Sequence, residues 1–339
     1  MKHSNIAFFI PHLGCPHQCT FCNQRAISGE NRAVTLEEIR RVVTREVENK
    51  SENFKKNAEI AFFGGSFTAI GREKMMAYLE EAYSLVKEFG LFGIRLSTRP
   101  DAVEDEVLEI LKQYGVTAIE LGAQTTSDRV LTLNKRGHTA EDIFSASHRI
   151  RKYGFSLGLQ IMPGLYGDNK ETIMKTIEDV IEIHPDTIRV YPTVVVRNTE
   201  LEGLYRNGEF IPLSVSDATE YLSQMIRLFE KEGIEIIKMG LHSEESLQSE
   251  VIAGPFHPAL KELCESRMFY DIIKKEAEGF SSLEVFVNPK SISKAIGQGG
   301  ENRNKFLENG IKITFKTDEK LGKYEIKIGR KSKSETEIS

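Results

Sequence analysis

Cysteines and long apolar runs are scarce in this chain of 339 residues. Only four cysteines are present, and three of them lie within eight residues, which favours a metal site over a disulfide framework. No apolar run reaches the roughly 18 residues that span a bilayer, and the stretch Met1–Ile10 lacks the cleavage signature of a signal peptide. We therefore predict a cytoplasmic protein with no membrane partner.

Charge is unevenly distributed along the sequence. The whole chain has a net charge of -5, whereas Ser282–Ser339 contains 12 basic and 8 acidic residues and so carries +4. A basic segment on an acidic body is typical of a protein with a polyanionic partner, although a solvated basic face gives the same pattern.

Short apolar runs alternate with amphipathic stretches over the first 190 residues, which predicts parallel strands joined by helical crossovers. The predicted strands are Ile6–Ile10, Ile60–Phe63, Gly93–Ser97, Ala118–Leu121, Leu157–Ile161 and Thr187–Tyr191. The predicted helices are Leu36–Glu48, Glu73–Phe89, Val103–Tyr114, Ala140–Tyr153 and Glu171–Ile183. Two helix-start capping pairs are predicted, Thr35 with Glu38 and Asp101 with Glu104. A doubly wound sheet and a partial barrel both fit, and both place a site at the carboxyl ends of the strands.

The remaining residues divide into three predicted segments after a core domain at 1–210. Residues 211–280 extend the core with helices at Ser216–Glu232 and Pro258–Glu278 and a strand at Glu235–Met239. Residues 281–330 form a small α+β domain, and residues 331–339 a polar, frayed tail. The predicted elements of the small domain are strand Leu283–Val287, helices Ser291–Ile296 and Asn302–Glu308, and strands Ile311–Phe315 and Tyr324–Ile328.

The cysteine cluster consists of Cys15, Cys19 and Cys22, in a loop just after the first strand. Three thiolates on a short loop can surround a small cluster of soft metal ions. A four-iron cluster that is held entirely by protein takes four thiolates, so three thiolates leave one iron open to a ligand. The alternative is a structural zinc site completed by His12 or His17.

Polar and glycine-rich strings follow the other strands. Gly64-Gly65 ends the second strand, where the absence of side chains lets the backbone approach a ligand closely. Ser97-Thr98-Arg99-Pro100-Asp101 ends the third strand with a hydroxyl, a guanidinium and a carboxylate. Further strings follow the later strands at 120–125, 134–139, 160–165 and 191–201.

The C-x3-C-x2-C spacing, with Phe21 before the third cysteine, resembles the radical S-adenosylmethionine (SAM) superfamily. The strand-end strings, in order from Ile6 to Glu209, resemble the radical SAM half of the Elongator catalytic subunit and its short bacterial relatives. The resemblance implies an α/β fold, a partial (β/α)6 barrel. It also implies a [4Fe-4S] cluster whose open iron is chelated by SAM. An electron from the cluster then cleaves SAM, and the 5′-deoxyadenosyl radical removes a hydrogen from the substrate.

The same resemblance implies which residues contact the cofactors. The metal ligands are Cys15, Cys19 and Cys22. The SAM contacts are Phe21, Gly64, Gly65, Ser97, Arg99, Gln124 and Arg136. No catalytic residue is assigned, and an external electron donor such as flavodoxin or ferredoxin is expected.

The remaining cysteine restricts the chemistry. Only Cys264 is left, and it lies in a predicted helix where a packed, inert thiol is expected. A second cluster, and with it methylthiolation, is therefore not expected. The Elongator subunit carries an acetyltransferase domain after its radical SAM half. The length of this chain leaves no room for one, so carboxymethyl transfer is not expected either.

A glycine loop near the C-terminus, Gly297-Gln298-Gly299-Gly300, lies between two short helices flanked by strands. This order resembles a KH domain, which clamps about four nucleotides with such a loop. Glycines there let backbone amides face phosphates. The RNA contacts implied are Lys290, Lys294, Gly297, Gln298, Gly299, Gly300, Arg303 and Lys305. A bare turn or a protein-contact module would show the same loop.

Together the two resemblances predict a radical SAM enzyme that modifies a base of tRNA or rRNA. The alternative is a radical SAM enzyme that acts on a small molecule or peptide and uses the KH-like domain as a docking module.

Overall fold

A computed structural model describes residues 4–29, 32–241 and 245–333. Its strands are β1 (Ser4–Phe9), β2 (Ala58–Phe63), β3 (Gly93–Thr98), β4 (Val116–Gln124), β5 (Ser156–Ile161), β6 (Thr187–Val190), β7 (Val195–Val196), β8 (Glu235–Met239), β9 (Val251–Ala253), β10 (Phe280–Val287), β11 (Lys312–Thr317) and β12 (Ile326–Lys333). Its helices are α1 (Gln24–Ser28), α2 (Leu36–Val47), α3 (Glu52–Lys55), α4 (Arg72–Phe89), α5 (Asp105–Gln113), α6 (Asp128–Leu133), α7 (Ala140–Lys152), α8 (Lys170–Ile183), α9 (Glu200–Arg206), α10 (Val215–Lys231), α11 (Glu245–Glu250), α12 (Leu260–Ala277), α13 (Ile292–Ile296) and α14 (Glu301–Glu308). None of these helices is long and apolar enough to cross a membrane.

The chain forms two compact units. The barrel unit comprises Met1–Leu213 and Glu232–Phe256, and the C-terminal unit comprises Ser214–Lys231 and His257–Ser339. Helices α10 and α12 therefore group with the C-terminal strands. The predicted boundaries after residues 210 and 280 stay predictions. Residues 331–333 continue β12, and residues 334–339 of the predicted tail lie outside the described residues.

The barrel unit is built on a curled, parallel sheet with the strand order β1-β2-β3-β4-β5-β6-β8. All six strands predicted from the first 190 residues are present and neighbour one another in chain order, and β8 adds a seventh. The predicted α/β class and partial (β/α)6 barrel are thus confirmed. Because the strands are parallel, their carboxyl ends lie along one edge.

The two faces of this sheet differ in chemistry because successive side chains on a strand point to opposite faces. One face is apolar: Ile60, Leu96 and Ile119 are fully buried. The other face carries four charged side chains and one amide in the middle of otherwise apolar strands, namely Glu59, Arg95, Glu120, Arg189 and the amide Gln160.

An ion network joins these charged side chains. The Glu120 carboxylate accepts hydrogen bonds from Arg189 Nε (2.6 Å) and Nη2 (3.0 Å), from Gln160 Nε2 (3.0 Å) and from Arg95 Nη1 (3.3 Å). Arg95 Nε also donates to Glu59 (2.6 Å). Burial alone would raise the pKa of Glu120, but the Arg189 bonds and the Arg95 charge outweigh burial and lower it. The buried charges are therefore paired and hydrogen-bonded, as burial requires.

Helix starts test the two predicted capping pairs. Thr35 and Glu38 form a reciprocal capping box at α2, so that prediction is confirmed. The Asp101–Glu104 prediction is wrong: α5 begins after Glu104 with no side-chain cap. The Asp101 carboxylate is instead paired with the guanidinium of Arg99.

The C-terminal unit contains a three-stranded sheet in the order β11-β10-β12. Strand β10 pairs parallel to β11 and antiparallel to β12. The predicted succession of strand, helix, glycine loop, helix and strand is present as β10, α13, residues 297–300, α14 and β11. Cys264 is completely buried in α12, where burial raises its pKa to about 12, in line with the predicted packed thiol.

The ion network predicts a large cost for removing its central carboxylate. Glu120→Gln leaves the largely buried Arg189 without a carboxylate partner and Arg95 with Glu59 alone, so the free energy of unfolding should fall by about 3–5 kcal/mol. The matched control is Glu106→Gln, which breaks the exposed pair with Arg72 and should cost less than about 1 kcal/mol. Denaturant titration followed by circular dichroism measures both, and equal losses would contradict the central role of Glu120.

Candidate functional site

The loop that carries Cys15, Cys19 and Cys22, called the cluster loop, begins where β1 ends. Backbone hydrogen bonds fix it to the end of β2. Ile10 N donates to Phe63 O (2.9 Å), and Ser66 N donates to Leu13 O (2.7 Å). The loop then folds back on itself, since Leu13 N donates to Ile10 O (3.2 Å). The loop is therefore held to the sheet edge before the first cysteine.

Gly65 makes this close approach possible. Its φ of 60° is in the left-handed region, and a Cβ added there would lie 2.2 Å from Leu13 O and 2.7 Å from Ile10 O. The Gln24 side chain bridges the same junction, because its Oε1 accepts hydrogen bonds from Gly65 N (2.7 Å) and His12 N (2.6 Å). The glycine turn and the cluster loop are thus one structural element.

The three cysteines line a single cavity of about 510 Å³. Burial, and next the neighbouring Cys19 and Cys15 sulfurs, raise the pKa of Cys22 to about 12; burial and Cys19 raise that of Cys15. Thiolates that line one cavity and raise one another's pKa repel unless metal cations compensate their charge. Since metal binding requires thiolates, this donor set fits an iron–sulfur cluster.

The zinc alternative requires four donors that converge on one ion. In the part of the chain that the structure describes, no group of three His, Cys, Asp or Glu side chains has that arrangement. His12 Nε2 already accepts a hydrogen bond from Gln24 N (3.2 Å). Thiolates of an iron–sulfur cluster each bind a different iron, so they need not converge on one point.

Arg136 connects the cluster loop to the end of β4. Its Nη1 donates to Cys19 Sγ (3.1 Å) and its Nη2 donates to Gly122 O (2.7 Å). Arg136 is only 8% exposed, yet its Nε has no hydrogen-bond partner among the described residues. A buried donor left unpaired beside the cavity fits an anionic ligand group, such as the carboxylate of SAM.

Arg99 and Asp101 form a bidentate pair at the end of β3, with Nε–Oδ1 and Nη2–Oδ2 distances of 2.9 and 2.7 Å. Burial opposes ionisation of Asp101, but the bond from Arg99 prevails and lowers its pKa. The Arg99 backbone N donates to Ser66 Oγ (3.3 Å), which ties this turn to the one after β2.

Each residue predicted from sequence to bind the cluster or SAM lines the same cavity. Phe21 is 8% exposed and packs in a small apolar cluster with Cys19 and Leu165. Gln124 has a φ of 66°, unusual for a residue with a side chain, at the point where β4 turns away from the sheet. Their roles as ligands stay predictions.

The cavity lining also includes residues without a predicted role, among them Gln24, Gln160, Arg189 and Tyr191. Gln160 and Arg189 belong to the ion network, and the Arg189 guanidinium lies 4.9 Å from the centre of the Phe63 ring. Burial raises the pKa of Tyr191, so its phenol stays protonated. In the sequence, charged residues inside short apolar strands are the signal that could have indicated the ion network. No comparable signal marks Gln24.

The predicted RNA contacts lie in the C-terminal unit. Gly297, Gly299 and Gly300 all have positive φ, and a Cβ added at Gly299 would meet no atom within 4 Å, so this loop has an open surface. Asn302 fixes the loop base by donating to Ser266 O (2.8 Å) and Ala295 O (3.1 Å).

Two of the four cations predicted around this loop form ion pairs with carboxylates of the same unit. Lys294 forms an ion pair with the buried carboxylate of Glu265, and Lys305 pairs with Glu301 at 2.6 Å. Lys290 and Arg303 are exposed.

Sequence comparison identifies the class of protein. The radical SAM superfamily profile matches residues 9–180, and that of the radical SAM C-terminal domain matches residues 185–270. The protein belongs to the radical SAM superfamily. It is thus a radical SAM enzyme, with SAM and a [4Fe-4S] cluster as its cofactors.

Individual relatives confirm the predicted resemblance to the Elongator catalytic subunit. An uncharacterized protein of Methanocaldococcus jannaschii is 30% identical over 62% of this chain and 66% of its own length. The tRNA uridine(34) acetyltransferase of that organism is 31% identical over 43% of this chain, and Elongator complex protein 3 of Homo sapiens is 30% identical over 40%. This chain spans only 28% and 25% of those two proteins.

Among solved structures, archaeal Elp3 of Methanocaldococcus infernus has the same fold as most of this chain. Its TM-score is 0.63 at 20% identity, over 81% of this chain and 63% of that one.

The junction at Gly65 predicts a specific effect on cofactor binding. Gly65→Ala forces Leu13 and the cluster loop to move, so iron retention and SAM affinity should each fall by about tenfold or more, equivalent to at least ~1.4 kcal/mol. Gly90→Ala is the matched control, because Gly90 has a similar φ of 65° but an added Cβ meets nothing within 4 Å. Iron analysis after anaerobic reconstitution measures iron retention, and equilibrium dialysis measures SAM affinity. Equal values for Gly65→Ala and Gly90→Ala would contradict the role of the Gly65 junction in cofactor binding.

Proposed function

We propose that this enzyme reductively cleaves SAM at a single [4Fe-4S] cluster and uses the resulting radical to modify a base of tRNA or rRNA. The observation that carries the proposal is the cavity at the carboxyl edge of the sheet. It brings together the three cysteines, the Gly64-Gly65 turn and the unpaired donor of Arg136.

The cofactors supply, when bound, a one-electron cleavage of SAM that generates a hydrogen-abstracting radical. The residues of the chain have three supporting tasks. Cys15, Cys19 and Cys22 hold the cluster, and Arg136 Nη1 donates to Cys19 Sγ and thereby orients it. The Gly65 junction holds the loop against the Gly64-Gly65 turn, which would contact SAM when it is bound. The paired charges around Glu120 form part of a cavity wall without a net charge of their own.

The cysteine count supports a single cluster. Apart from the three loop cysteines the sequence contains only Cys264, which is buried in α12. The chemistry then depends on one cluster, reduced by an external one-electron donor such as flavodoxin or ferredoxin.

Two observations favour RNA as the substrate. The relatives include tRNA uridine(34) acetyltransferases and Elongator complex protein 3. The C-terminal unit has the element order of a KH-like domain with an open glycine loop. In this proposal Gly297–Gly300 contacts RNA phosphates through backbone amides, and Lys290 and Arg303 add charge. A base paired in a helix must be exposed before it can reach the cavity.

Mass spectrometry of nucleosides tests the proposal. A strain that lacks the protein should lose one modified nucleoside from its tRNA or rRNA, because no radical reaches the base. The wild-type gene and a Cys264→Ala variant should restore the nucleoside, whereas a variant with all three loop cysteines changed to Ala should not. Identical nucleoside profiles in the deleted and parent strains would instead support a small-molecule or peptide substrate.

A further inference from the structure

The sheet of the C-terminal unit has a covered face and an open face. On the covered face, Leu283, Val285 and Val287 of β10 are at most 2% exposed. The alternate residues of β10 lie on the other face, in register with exposed residues of both neighbours: Glu284 opposite Thr314, and Phe286 opposite both Lys316 and Lys327. The open face therefore consists of residues 282, 284, 286, 312, 314, 316, 327 and 329.

This open face is positively charged. Lys312, Lys316 and Lys327 are exposed, and the one carboxylate among them, Glu284, pairs with Lys316 at 2.6 Å. Among the described residues, Lys312 and Lys327 have no acidic partner within salt-bridge distance. A surface of this charge attracts polyanions.

An aromatic ring lies between these lysines. Phe286 is half-buried at the centre of the open face, and Lys316 Nζ lies 5.7 Å from the centre of its ring. A Cβ added at Gly329 would lie 2.8 Å from Phe286 Cε2, so the glycine leaves room for the ring beside β12. Cations around an aromatic ring on a sheet face are typical of surfaces that bind single-stranded nucleic acid.

Two of the four cations beside the glycine loop of the same unit are already paired with carboxylates. Glu265 neutralises Lys294, and Glu301 neutralises Lys305. Backbone amides orient phosphates, but long-range attraction and salt-dependent affinity come from cationic side chains that release counterions. In the C-terminal unit, Lys312 and Lys327 provide such side chains on the open face.

We propose that the open face of the β11-β10-β12 sheet is a second RNA-binding surface. Lys312 and Lys327 bind phosphates of single-stranded RNA, and Phe286 offers an apolar surface for a base between them. The inference rests on the proposed function, and it assigns RNA contacts to a face distinct from the glycine loop.

The salt dependence of RNA binding by the full chain tests this proposal. Each phosphate contact on a single strand contributes about 0.7 to the slope of log affinity against log salt concentration. Lys312→Gln combined with Lys327→Gln should therefore reduce the slope by about 1.4 and weaken affinity on the order of tenfold at about 50 mM salt. Fluorescence anisotropy with a labelled oligouridylate dodecamer measures both quantities.

The matched control combines Lys112→Gln and Lys152→Gln, two exposed lysines on α5 and α7 of the barrel unit, and should leave the slope unchanged. SAM cleavage and the thermal unfolding curve should be unchanged in both double variants. If Lys312→Gln/Lys327→Gln binds with the wild-type slope and affinity, the open-face proposal is overturned while RNA binding elsewhere stands. If the wild-type protein does not bind the probe, both this proposal and RNA binding by the C-terminal unit are overturned.

Discussion

Parallel pairing of β1 to β6 in chain order is the constraint on which the site depends. It places the carboxyl ends of six strands along one edge, so that the loops following them meet. The contact between Arg136 and Cys19 spans 117 positions of sequence and exists because β1 and β4 end at the same edge. The junction of Gly65 with Leu13 has the same origin, since β1 and β2 are neighbours in register.

The polar face of this sheet raises an energetic problem that the ion network solves. Burying Glu120 without partners would cost several kcal/mol, and the network provides four hydrogen bonds from three side chains. Space for the carboxylate comes from Gly158 on the next strand, where a Cβ would lie 2.7 Å from Glu120 Cγ. These charges neutralise one another, whereas Arg136 Nε is buried without a partner among the described residues and is available to an anionic group such as a carboxylate.

Much of the barrel could be predicted from sequence, because alternation of apolar runs and amphipathic stretches reports directly on strands and helices. The cysteine spacing and the strand-end strings also predicted residues that line one cavity, and their roles as ligands stay predictions. Partners of charged side chains could not be predicted in the same way. Periodicity assigns Glu120 to a face but does not identify Arg189, 69 positions away, as its partner. It also favoured Asp101 as a helix cap, whereas the structure pairs it with Arg99. Likewise, the lysines beside the glycine loop looked available in sequence, and only the fold shows that Glu265 engages Lys294.

The central claim is that one cluster, held by Cys15, Cys19 and Cys22, cleaves SAM. Anaerobic reconstitution with iron and sulfide, followed by reduction in the presence of SAM, tests it most directly. We expect the wild-type protein and Cys264→Ala to bind iron and to release 5′-deoxyadenosine, and the variant with the three loop cysteines changed to Ala to do neither. A reconstituted wild-type protein that binds no iron and releases no 5′-deoxyadenosine would contradict the account.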